Sequence, residues 1–217
     1  MKLLDLFFPP RCAFCRRISR EGICPACEKS LPWRELPEEE RPGIGSLCAP
    51  LWYEGSVRKA LLRFKFYHKT GAADGFGALV AQCAAESFGG RFELVTYVPV
   101  SAKRKAERGY DQAQLLAHAA AKRWETQEVA LLRKCVDNAP QSSLSTSEER
   151  RANVLGVYEP VDPARICGKR ILLVDDICTT GATLHECVRV LRDAGAADVV
   201  SVTLAAGREK RDPKKRA

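Results

Sequence analysis

No stretch of the 217 residues approaches the ~20 consecutive apolar residues that a membrane-spanning helix needs. The opening Met1-Lys2-Leu3-Leu4-Asp5-Leu6-Phe7-Phe8-Pro9-Pro10 is apolar only in part. Asp5 interrupts it and no small-residue cleavage site follows, so it does not read as a secretion signal. Two common phosphate motifs are missing as well. No Gly-Lys-Ser or Gly-Lys-Thr occurs, which excludes a Walker loop. Gly75-Phe76-Gly77 lacks the third glycine of a dinucleotide fingerprint and lies in a helical pattern, while Gly43-Ile44-Gly45 leads into Cys48 without a preceding strand. Aromatic residues make up 7% of the chain and form no clear series for stacking the bases of a single strand. These absences leave a soluble protein whose ligand is not held by a P-loop or a dinucleotide fold.

What is present is an ordinary globular composition, 46% hydrophobic, with a formal net charge of +8. The basic balance suits an anionic partner without separating nucleic acid, a polyphosphate or a lipid surface. Of ten cysteines, four fall into two short pairs and the rest are scattered through apolar segments. That distribution fits a reducing compartment, and the expected location is the cytoplasm. Cys12-Ala13-Phe14-Cys15 and Cys24-Pro25-Ala26-Cys27 read as two knuckles aiming four sulfurs at one structural zinc ion, which substitutes for the core so small a segment cannot build. Two disulfides or a redox Cys-x-x-Cys are the competing readings, and Cys48 is a further candidate ligand.

Residues 31–45, with three prolines and Glu38-Glu39-Glu40, read as a linker. The division expected is a zinc-ribbon-like unit with its linker over 1–45, an α/β domain over 46–207 and a basic tail over 208–217. Helices are predicted over Val57 to Phe66, Gly71 to Phe88 and Asp111 to Trp124; strands over Leu94 to Val100, Val129 to Arg133 and Val199 to Leu204. The basic run Lys103-Arg104-Lys105-Ala106-Glu107-Arg108 leaves the strand ending at Val100 as a loop, and reads equally as solvated charge or as an anion site. Residues 135–153 form a polar stretch too long for a simple connector, either a lid or a disordered loop.

The most informative segment is Arg170-Ile171-Leu172-Leu173-Val174-Asp175-Asp176-Ile177-Cys178-Thr179-Thr180-Gly181-Ala182-Thr183-Leu184. An apolar run bounded by charge fits a buried parallel strand, and the two carboxylates fall where that strand leaves the sheet, the place where open α/β sheets bind ligands. Apolar positions Leu184, Cys187, Val188 and Leu191 then recur at helical spacing. The Thr-Thr-Gly-Ala-Thr loop therefore delivers amide groups to a helix N-terminus, which stabilises a phosphate without any Lys. Simple capping by Thr179 or Thr183 is the plainer alternative, and it leaves the two carboxylates unexplained.

This segment resembles the phosphoribosyl-pyrophosphate (PRPP) motif of type I phosphoribosyltransferases. With Tyr53-Glu54-Gly55, Phe64-Lys65, Val98-Pro99-Val100, Arg108-Gly109-Tyr110-Asp111-Gln112, Gln141, Leu144 and Arg150 to Asn153, the chain is similar to the ComF family, which includes competence proteins. The resemblance implies a type I phosphoribosyltransferase-like, mostly parallel sheet flanked by helices, behind a small N-terminal zinc ribbon. It further implies that Asp175 and Asp176 hold the ribose hydroxyls, that Thr179, Thr180, Gly181, Ala182 and Thr183 cradle the 5′-phosphate, and that Mg2+ bridges sugar and pyrophosphate. Arg108 is the leading pyrophosphate contact and Lys103 and Arg104 are weaker ones; Lys65 gains weight, and Gln141, Arg150 and Asn153 match a closing loop. Three functions follow as expectations: phosphoribosyl transfer to an unidentified acceptor, interaction with single-stranded DNA or the DNA-uptake machinery, and sensing of PRPP without turnover.

Overall fold

Ile171, Leu172, Leu173 and Val174 are all fully buried, as a continuous apolar run must be in a strand covered on both faces. They lie in strand β7 (Arg170–Cys178), and alternate residues face opposite sides of the sheet. Leu172 and Val174 join one core with helices α2 (Gly55–Phe66), α3 (Ala73–Phe88) and α5 (Gln112–Ala121); Ile171 and Leu173 join a second core with helix α7 (Ala182–Asp193). The structure, a computed structural model, describes residues 9–66, 70–138 and 146–208. Gln141, Leu144 and the basic tail from Lys210 lie outside the described residues.

The six-stranded sheet runs β1-β2-β8-β7-β4, where β1 is Glu38–Arg41, β2 Gly45–Cys48, β4 Leu94–Tyr97 and β8 Asp198–Ala206. Strand β3 (Leu51–Trp52) also pairs with β8. Only β1 is antiparallel. Strands β2 and β3 meet β8 at Ser201–Val202 and Ala205–Ala206, so they are successive parts of one edge, interrupted at Ala49-Pro50, where proline has no amide to donate. A separate antiparallel pair, β5 (Leu132–Lys134) with β6 (Tyr158–Pro160), lies on the α7 side of the sheet. The fold is thus α/β with a mostly parallel sheet.

Three expectations change. Residues 31–45 are not a bare linker, because Glu38–Arg41 pairs with β2 at the sheet edge. Charged residues hide a strand from pattern reading, yet they suit an edge, where they discourage pairing with another chain. The basic run after β4 is not a loop but helix α4 (Ala102–Arg108), capped by Ser101 and ended by Gly109 at φ 75°. The cysteine segment does not stand apart either. Cys12, Ala13, Phe14 and the two residues that flank helix α1 (Pro25–Ser30), Cys24 and Leu31, share the first core, and the Phe14 ring lies 5.2 Å from that of Phe76, which lies 5.5 Å from Phe64.

Two helix α3 glycines make these close approaches possible. A Cβ on Gly75 would stand 3.0 Å from the Gly22 carbonyl and 3.1 Å from Ala13 Cβ, and one on Gly77 would run into Ala119 of α5. Gly77→Ala gains up to ~1 kcal/mol of helix propensity but overpacks a backbone contact at ~1–3 kcal/mol. The expected net result is a loss of about 1–2 kcal/mol in urea denaturation; an unchanged or raised midpoint would show that the two helices do not meet this closely.

Candidate functional site

The C-terminal end of β7 opens into a cavity of about 530 Å3, a size ordinary for small-ligand sites. Its floor is the segment from Asp175 to Leu184. Gly181 takes φ 76° at the N-cap of α7, a conformation that favours glycine, and a Cβ there would also meet Ile44 Cδ1 at 2.7 Å. No threonine side chain caps the helix; Thr180 Oγ1 accepts only a long 3.5 Å bond from the Ala182 amide. The first-turn amides therefore face the cavity, available to an anion.

Adjacent positions on a strand point to opposite faces, so Asp175 and Asp176 present one carboxylate to each side of the sheet end. On the α2 side, Asp176 is buried and accepts from Lys65 Nζ at 3.3 Å. That carboxylate holds the Lys65 ammonium above its ordinary pKa. On the α7 side lie Lys134 and Tyr158, cross-strand partners in β5 and β6, with Lys134 Nζ 5.5 Å from the Tyr158 ring. Burial, followed by Arg104, brings Lys134 down to about 8. Burial and then the neighbouring Asp176 push the Asp175 carboxyl well above the usual range. Buried like charges are costly, which makes this end of the sheet a place that favours a bound cation.

The opposite wall comes from α4 and the Arg108-to-Gln112 segment. Arg104 and Arg108, four residues apart, share a face of α4 and both line the cavity. Burial and then Arg104 lower the Arg108 pKa. Lys103 points elsewhere: its side chain is 69% exposed, pairs with Asp137 at 3.6 Å and does not line the cavity. The neighbouring polar residues act as braces. The Tyr110 hydroxyl donates to the Phe64 carbonyl, the Gln112 amide to the Lys65 carbonyl at 3.5 Å, and Asp111 accepts from the amides of Val100 at 2.8 Å and Gln114 at 3.2 Å. Arg108 donates to Gln112 Oε1 at 3.0 Å. Arg150, in helix α6 (Ser147–Ala152), lines the cavity; Asn153 does not, and its carbonyl accepts from the Asn138 side chain.

In the N-terminal segment, the sulfurs of Cys12, Cys15, Cys24 and Cys27 all lie within 4.8 Å of one another, with Cys15 and Cys24 3.6 Å apart. Tetrahedral zinc with bonds of about 2.3 Å spaces its sulfurs about 3.8 Å apart, whereas a disulfide needs ~2.05 Å. Burial pushes the Cys12 thiol up, but the amides of Cys15, Cys24 and Phe14 outweigh it and bring it to about 6. Burial and the other three sulfurs push Cys27 up. The Cys12 thiolate is favoured while Cys27 resists ionising beside it, and a shared dication relieves that repulsion.

Residues 114–217 match the phosphoribosyl transferase domain family, and residues 3–38 match the double zinc ribbon domain family. Competence protein ComFC of Bacillus subtilis is 29% identical over 70% of this chain, and the chain spans 60% of that relative's length. Competence protein F of Haemophilus influenzae is 25% identical over 89% of the chain and 95% of the relative. DNA utilization protein YhgH of Salmonella typhimurium is 27% identical over 87% of the chain and 86% of the relative. Together the two domain families and these relatives support a place in the ComF family.

The chain carries its cysteine cluster as a closed four-sulfur set, so the zinc that fits it is structural. Cys48 is not a ligand: it is buried in β2, against Cys83. Three cavity residues escaped sequence reading, namely Arg58, Lys134 and Tyr158. A signal existed for Lys134, because strand alternation places it on the same side of β5 as buried Leu132. Zinc should copurify at one ion per chain, and a strong chelator should lower the melting temperature and loosen Phe14 from Phe76. An unchanged melting curve after complete zinc removal would mean that the ion does not hold this segment to the core.

Proposed function

We propose that this ComF-family protein binds PRPP in the cavity at the end of β7 and transfers its phosphoribosyl group to an acceptor. One observation carries the reading: the carboxylates of Asp175 and Asp176, the Gly181 loop and the α4 cations all line a single cavity. In this arrangement the amides at Gly181 to Thr183 take the 5′-phosphate, the carboxylates take the ribose hydroxyls, and Arg104 and Arg108 take the pyrophosphate, Arg being suited to paired phosphate contacts. Lys65 and Lys134 add positive charge on either side of the acidic pair. Mg2+, a hard cation that prefers oxygen ligands, would lie at the acidic pair and supply charge that stabilises the departing pyrophosphate. An acceptor lone pair forms the new bond to the anomeric carbon as the bond to pyrophosphate breaks. The acceptor's proton is lost to solvent, and the carboxylates favour the cation-like sugar between the two.

PRPP with Mg2+ should raise the melting temperature, and Asp175→Asn with Asp176→Asn should abolish the gain. The shift should weaken as the pH falls, beginning above the ordinary carboxylate range, because Asp175 takes up its proton early. An undiminished shift in the double variant would sink the assignment. Pyrophosphate release across bases and amines reads turnover separately, and silence there with binding intact would leave a sensor.

A second reading is supported by the names of the relatives, Competence protein and DNA utilization protein, together with the net charge of +8. In it the chain binds the phosphates of single-stranded DNA without catalysis. Anisotropy of a labelled oligothymidylate should then show affinity falling steeply and linearly on a log–log salt plot. No binding at low salt would remove this reading for the isolated protein.

A further inference from the structure

The back of the phosphate loop is covered by the β1–β2 hairpin, the segment that follows the cysteine cluster. Arg41, at the end of β1, sends Nη1 to Cys178 Sγ at 3.2 Å and to the Thr179 carbonyl at 3.3 Å. Its side chain is 11% exposed and is oriented from behind by Glu39, whose Oε1 lies 2.9 Å from both Nε and Nη2. The other oxygen of Glu39 pairs at 3.1 Å with Arg34, which is itself buried and donates to the carbonyls of Pro37 and Ala49. Ile44, four residues past Glu40 in the same hairpin, closes the space behind Gly181. Arg41 does not line the cavity.

We propose that Arg41 is a positioning residue for the phosphate loop, an inference that rests on the PRPP reading above. The peptide between Thr179 and Thr180 is trans and planar, so its carbonyl and its N–H point in opposite directions. Holding the Thr179 carbonyl toward Arg41 turns the Thr180 N–H the other way, toward the cavity that Thr179, Thr180 and Gly181 line. Arg41 thereby fixes one amide donor for a phosphate monoester before any ligand arrives, and its charge, dry behind the loop, adds to the field of the α7 N-terminus. The same contact explains Glu39: its carboxylate keeps the guanidinium in one orientation, so that the donor meets the carbonyl and not solvent.

Calorimetric titration separates this role from general support. With Mg2+ present, ribose 5-phosphate probes the loop and inorganic pyrophosphate probes the α4 wall. Arg41→Ala should weaken ribose 5-phosphate about tenfold, the scale of one charge-assisted hydrogen bond, and leave pyrophosphate within about twofold. Arg41→Lys should recover part of the loss, and Glu39→Gln, which retains both arginines, should weaken ribose 5-phosphate about threefold and serves if Arg41→Ala fails to fold. Equal ribose 5-phosphate affinity in the Arg41 variants would overturn the positioning role and leave the binding site standing. Parallel loss of both ligands would also overturn it, by showing mere structural damage. If the wild-type protein bound neither ligand, the PRPP reading would fall, and the positioning role with it.

Discussion

Two adjacent carboxylates at the end of a strand buried on both faces are the constraint around which this structure is arranged. An isolated pair of that kind would cost several kcal/mol in an apolar interior. The alternation of β7 divides the cost, sending Asp176 toward Lys65 on α2 and Asp175 toward the side that carries Lys134. The compensation is incomplete, since Asp175 still holds its proton more tightly than an ordinary carboxyl. Carboxylates at a strand end, beside the first-turn amides of α7, put acceptors and donors of hydrogen bonds into one cavity.

The N-terminal segment takes part in that arrangement. Phe14 packs on Phe76, Gly22 approaches Gly75, and the chain then runs through Arg34, Glu39 and Arg41 to the rear of the Thr179–Gly181 turn. Arg63 of α2 donates to the Phe14 carbonyl, so the helix that presents Lys65 also touches the cysteine segment. Packed side chains and ion pairs thus run without a break from the cysteine segment to the rear of the turn, although none of the four cysteines lines the cavity.

The central strand, the helix after it and the four sulfurs were legible because each leaves a dense local signal: a continuous apolar run, a 3.6-residue period, a repeated Cys-x-x-Cys. The hairpin was not. Glu38-Glu39-Glu40 contains nothing that local propensity would place in a sheet, and only the free edge of β2 makes a strand of it. The run after β4 was read by its charge when its shape decided matters. As a helix it puts Arg104 and Arg108 on the cavity and Lys103 in solvent, a distinction no count of cations contains. Lys134 escaped for a related reason: a lysine in a three-residue strand reads as surface until its cross-strand partner, Tyr158, is known.

In the wall opposite the acidic pair, hydrogen bonds tie the cavity-lining residues to the strand end and to two helices. Between Arg108 and Gln112, Tyr110 holds the end of α2, Asp111 holds Val100 and the start of α5, and Gln112 holds both Lys65 and Arg108. Asp111 is buried, and burial raises its pKa, a cost met by two amide hydrogen bonds that fix where the strand end and the helix begin. Cations brought from α2 and α4 can act on one group only if their separations are fixed to within a hydrogen-bond length. The Arg-Gly-Tyr-Asp-Gln segment is therefore better understood as the element that sets the distance between two walls than as a row of contacts: Arg108, Asp111 and Gln112 line the cavity, and hydrogen bonds within the wall hold all three.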